Sequence, residues 1–104
     1  MTLTVTGSAP VRPSELLRTK RELIVDAVRA HGVTNPRVIG SVARGTDTDQ
    51  SDLDLLVSVP RGAALAFLGL GEYLTNLLGL RVDVVSEGGL RAANRHILDE
   101  AVPL

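Results

Sequence analysis

The run Asp52-Leu-Asp-Leu-Leu-Val-Ser-Val59 constrains the fold more than any other part of the chain. Leu53, Leu55, Val57 and Val59 alternate with Asp52, Asp54, Leu56 and Ser58, and Pro60 and Gly62 end the run. A period of two is what a strand with one buried face requires. The sheet therefore contains a strand that carries carboxylates at its entrance and buries its remainder.

The flanking segments read as partners for that strand. Ser14 is the expected N-cap of a first helix, in which Leu16, Leu17, Leu23, Ile24, Ala27 and Val28 recur near the helical period until Gly32 stops it. Thr34-Asn35-Pro36 predicts a turn and Arg37–Gly40 a short buried strand, followed by one helical turn over Ser41–Arg44 and a polar loop over Thr46–Ser51. Phe67, Leu70, Leu74 and Leu77 place a helix over Ala64–Leu78. Arg81–Ser86 is a further β-branched strand with Asp83 on the face opposite Val82 and Val84, broken by Gly88-Gly89. Leu90, Ala93, Ile97 and Ala101 then predict a last helix ending at Pro103. The order implies an α/β (α+β) layer with one small sheet packed with helices.

A chain of 104 residues holds one core. Residues 1–13, with Gly7, Pro10 and Pro13, read as an N-terminal arm or edge strand, and residues 14–104 as the domain. Eleven basic against twelve acidic residues give a net charge of −1, so there is no broad footprint for direct nucleic-acid binding. The absence of cysteine excludes thiolate metal sites and fits a reducing cytoplasm. No secretory signal or membrane-length apolar window is present, so a soluble, cytoplasmic protein is expected. Apolar residues make up 44% of the chain, a surplus that suits a partner surface and equally an Ala-, Val- and Leu-rich composition.

Asp52 and Asp54 stand two apart on one strand face, about 6–7 Å between Cα atoms, beside apolar neighbours that desolvate them. Two such carboxylates repel until one is protonated or a cation sits between them. Oxygen ligands without Cys or His select Mg²⁺, Mn²⁺ or Ca²⁺, and Mg²⁺ commonly shares its shell with substrate phosphates. Gly40 at the end of a strand lets a bulky anion approach the backbone, and Ser41 offers a hydroxyl and an N–H to phosphate oxygens; Arg44 is positioned to add a contact. If its strand lies beside the first, Asp83 completes a set of three aspartates able to bridge two metal ions for an in-line phosphoryl displacement.

Ordinary roles compete with each of these. Asp52 and Asp54 also suit a solvated strand end, Asp83 the open face of an edge strand, and Arg44 an ion pair with Asp47 or Asp49. His31 reads as a helix C-terminal residue, His96 as a helix surface residue, and Phe67 and Tyr73 as core.

Gly40-Ser41, the ten-residue gap and Asp52-Leu-Asp54 resemble the signature of the DNA polymerase beta-like nucleotidyltransferase superfamily. GSVARG, SDLDLLV, RVDVV and ILDEAVPL, from about Arg37 to Leu104, are similar more narrowly to the minimal nucleotidyltransferase (MNT) antitoxins. The resemblance implies a palm-like fold, two Mg²⁺ ions and ATP as substrate. It assigns Gly40, Ser41 and Arg44 to the nucleotide, Asp52 and Asp54 to the metals, and Asp83 to a third carboxylate that ligates metal and helps activate the acceptor. It further implies a hetero-oligomeric partner, a HEPN-domain RNase toxin silenced by AMP attached to a tyrosine. A short palm has little material for enclosing a small acceptor, which agrees with a macromolecular one. Two other functions stay open: an antitoxin acting by binding alone, and a transferase acting on a small molecule.

Overall fold

The computed structural model describes residues 11–104, so most of the expected N-terminal arm lies outside the described residues. The first helix, α1, spans Pro13–Ala30 and begins on proline, whose fixed φ and missing N–H suit the first helical position. Arg12, not Ser14, occupies the N-cap and supplies no side-chain cap. Ser14 lies inside the helix instead, and its orphan N–H donates to the Asp47 carboxylate at 2.9 Å. A break in helical geometry at Lys20 (φ −114°) bends α1.

Strand β1 (Thr34–Ile39) starts earlier than the expected Arg37, because residues 34–36 join the strand through a bulge. Asn35 takes a positive φ of 54°, which asparagine tolerates, and proline needs no ladder donor. The short helix α2 (Gly40–Arg44), strand β2 (Leu53–Ser58), helix α3 (Ala64–Leu78) and strand β3 (Val82–Ser86) follow as the sequence spacing leads one to expect.

The last helix does not form as expected. Two 3₁₀ turns, Glu87–Gly89 and Ala92–Asn94, and a four-residue helix α4 (Ile97–Glu100) replace it. Val102-Pro103 then form a strand, β4, antiparallel to β1. The residue before a proline is driven out of helical geometry, and the free edge of β1 offers the extended chain hydrogen-bond partners. Val102 thus lies on a strand and not on the last helix.

The sheet order is β3-β2-β1-β4, with β2 and β3 parallel and the other neighbours antiparallel. One face carries Val38, Leu53, Leu55, Val57 and Val82, which pack with Ile24, Ala27 and Val28 of α1 and Leu70 and Leu74 of α3 into the core. On the other face Leu56 is fully buried, and the Glu87–Gly89 turn packs against β2. There Arg37 forms an ion pair with Glu87 at 2.6 Å. Phe67 packs partly against the core as expected, whereas Tyr73 is half exposed and stacks at a tilt on His31, ring centroids 5.2 Å apart. His31 caps α1, its Nδ1 2.8 Å from the Ala27 carbonyl oxygen, and His96 is exposed just before α4.

Candidate active site

The strand register brings the distant carboxylate to the pair. Asp54 on β2 stands directly beside Asp83 on β3, in a ladder that the Leu53 N–H to Arg81 carbonyl bond (3.0 Å) begins. Residues opposite one another in neighbouring strands project from the same face, so Asp54 and Asp83 leave the sheet together, away from α1 and α3. Asp52 precedes β2 by one residue at the same end. The sequence could show each aspartate's face but not this adjacency, which depends on how two strands separated by α3 align.

Asp54 is half buried and its pKa is raised, first by burial, then by the charge of Asp83 and then of Asp52, with Arg81 and Arg44 offsetting part of the effect. The site therefore lacks positive charge for its number of carboxylates. Arg81 supplies some: its Nε lies 3.3 Å from Asp83 and 3.9 Å from Asp52. That pair is exposed and weak in water. No three acidic or histidine side chains stand close enough to form a closed cation cluster among the described residues. The donor set nonetheless fits a hard divalent cation: three carboxylates at one sheet end, one of them made costlier to ionise by burial and then by the other two.

Gly40 follows β1, paired through Ile39 with Asp54. It takes φ +74°, and a Cβ built there would stand 2.6 Å from Asp54 Oδ2. Glycine is thus required twice over, for backbone conformation and for the carboxylate against it. Ser41 opens the helical turn of α2, and Arg44 closes it before Gly45 in left-handed conformation. Arg44 does not pair with Asp47 or Asp49. Its Nη1 lies 3.3 and 3.4 Å from the two carboxylate oxygens of Glu100, and the Gly40 N–H donates to the same Glu100 Oε1 at 3.2 Å. Nothing in the spacing of the sequence singles out Glu100, 60 residues from Gly40.

Asp47, in the loop between α2 and β2, has a different task. It is 7% exposed and binds the start of α1. Burial pushes its pKa up, but hydrogen bonds from Ser14 outweigh this and hold it below the usual carboxylate range. On the α3 side of the sheet, opposite the face from which Asp83 projects, a cleft of about 320 Å³ between α3 and β3 is lined by Phe67, Leu68, Gly71, Thr75 and Arg81 among others. Leu65 and Leu68 on α3 are 85% and 74% exposed and carry the largest unpartnered apolar surface among the described residues. No described helix is long and apolar enough to cross a membrane.

Residues 21–103 match the family described as Nucleotidyltransferase domain. Protein adenylyltransferase MntA of Thermococcus cleftensis is 44% identical over 62 residues, 59% of this chain and 63% of that protein. A candidate protein adenylyltransferase of Methanocaldococcus jannaschii is 31% identical over 78 residues, 74% of this chain and 76% of its own length. Among solved structures, a candidate minimal nucleotidyltransferase superposes with a TM-score of 0.76 at 46% identity, over 88% of this chain and 95% of that one. A toxin–antitoxin complex with AMP-PNP superposes with a TM-score of 0.65 over 79% of this chain and 69% of that chain; at 19% identity the likeness is one of fold.

Proposed function

Since the chain belongs to the nucleotidyltransferase domain family, we propose that it transfers AMP from ATP to a tyrosine of a HEPN-domain RNase toxin and so acts as the toxin's antitoxin in the cytoplasm. The observation that carries this reading is the register of Asp54 against Asp83, with Asp52 beside them and Gly40 against Asp54. The relatives named protein adenylyltransferases support a protein as acceptor. So does the balanced charge, which provides no basic channel.

In this reading Asp52, Asp54 and Asp83 hold two Mg²⁺ ions. Bound there, the ions would offset triphosphate charge, lower the pKa of the attacking hydroxyl and steady the leaving pyrophosphate. The chain's own residues do the rest. Gly40, lacking a side chain, admits the phosphates close to the backbone, and Ser41 donates through its N–H and hydroxyl. Arg44 contributes a cation beside them, and Asp83, on the edge strand β3, faces the incoming acceptor. The tyrosine oxygen attacks the α-phosphorus, the bond to the β-phosphate oxygen breaks, and pyrophosphate departs with the tyrosine proton lost to the site's carboxylate and solvent.

The test is incubation with α-labelled ATP, Mg²⁺ and the product of the adjacent reading frame. Label moves to that protein with the wild type, and Asp52→Asn combined with Asp54→Asn abolishes it. Undiminished transfer by the double variant overturns the assignment.

A further inference from the structure

Two of the three groups assigned to the nucleotide are already engaged by a single side chain. Glu100 Oε1 accepts from the Gly40 N–H at 3.2 Å and lies 3.3 Å from Arg44 Nη1, while Oε2 lies 3.4 Å from the same nitrogen. A backbone N–H and a guanidinium converging on one anionic oxygen are the contacts a phosphate oxygen receives. We propose that Glu100 is a resident anion of the phosphate cradle, and that ATP gains the Gly40 and Arg44 donors only as Glu100 gives them up. The inference rests on the nucleotide reading of the Gly40–Arg44 turn and goes beyond it by naming the side chain that sets the affinity.

The physical grounds are threefold. The Gly40 N–H is a single donor, and a carboxylate and a phosphate cannot both take it in full strength. A triphosphate beside an unmoved Glu100 would meet a like charge in partly desolvated surroundings, since the Glu100 side chain is only 27% exposed. The contact is also cheap to exchange: the Arg44 half is 54% exposed, in the range where ion pairs contribute little. Glu100 therefore keeps the two donors satisfied without ligand and yields them to a more highly charged one. It acts through Gly40 and Arg44, not on the reacting atoms. Because it ends α4, with only Ala101 between it and β4, its release also loosens the link between the cradle and the strand that borders β1.

The experiment is calorimetric titration of ATP with Mg²⁺, without acceptor, into wild type, Glu100→Gln and Glu100→Asp, with thermal melts to establish that each variant is folded. Glu100→Gln removes the charge that competes for Arg44. Glu100→Asp keeps the charge but shortens the reach. Both variants are expected to bind ATP about two- to fivefold tighter, the size of a weak ion pair given up. Tightening in Glu100→Gln alone shows a distant charge effect and overturns the occupancy, and equal or weaker binding in both overturns it as well. Binding by neither wild type nor variants overturns the proposed function and this inference together, whereas equal binding by all three overturns the inference alone.

Discussion

Gly40 shows how much of the site rests on single positions. Its φ of +74° strains any side chain, and a Cβ there would stand 2.6 Å from Asp54 Oδ2 and displace that carboxylate. Gly40→Ala is therefore expected to lose about 1–2 kcal/mol of stability from backbone strain alone, measured by urea denaturation. It should also abolish AMP transfer, because the carboxylate must shift. That Gly40 matters was legible in the sequence from its place between a strand and a Ser; the Asp54 oxygen against it was not. Asp47 teaches the opposite lesson, since it lies only five residues before Asp52 yet serves the helix. Asp47→Ala is expected to cost about 1–2 kcal/mol at neutral pH, as loss of a cap does, lowering the melting temperature by several degrees. Its folded pKa is depressed, so its contribution is full above the ordinary unfolded value of about 4 and is lost as pH falls through the folded value. Melts of wild type and variant should therefore converge as the pH is taken down through the acid range, and a gap that persists at the lowest pH would contradict the capping role.

At the scale of elements, α3 and β2 were readable because each carries a full periodic stripe that coincides with burial: Leu70 and Leu74 on the helix, and Leu53, Leu55 and Val57 on the strand. The C-terminal region was misread because its apolar spacing fits a helix while Pro103 and the open edge of β1 favour an extended end. Edge pairing is decided by the assembled sheet, and no local pattern announces it. The same holds for the anchoring of β3. Thr75 of α3 accepts the Val82 N–H at 3.0 Å and donates to the Gly71 carbonyl at 2.8 Å, tying the strand that carries Asp83 to the helix. Thr75→Val, nearly isosteric, should cost about 1–3 kcal/mol through the unsatisfied donor. It should also lower the rate of AMP transfer more than the affinity for ATP, since Gly40 and Arg44 are untouched. Unchanged transfer in a destabilised variant would show that β3 holds its place without this tie.

Over the whole molecule the sheet separates structure from chemistry. The helices α1 and α3 cover one face and make the core, while Asp54 and Asp83 leave by the other, at the strand end where β1 delivers Gly40. The division follows from strand alternation, and the sequence displayed it in Asp52–Val59. What the sequence withheld is the internal charge pairing: Arg81 on the carboxylates and Glu100 on Arg44 and the Gly40 N–H, both joined only when β3 and α4 are in place. The central claim is that the three aspartates receive divalent cations beside a nucleotide lodged at Gly40. Anomalous diffraction from crystals grown with Mn²⁺ and a non-hydrolysable ATP analogue tests it most directly. The account predicts Mn²⁺ density bounded by Asp52, Asp54 and Asp83 with the analogue's phosphates against the Gly40–Ser41 backbone. Density for the metal or the phosphates elsewhere, with these carboxylates still paired to Arg81, would contradict it.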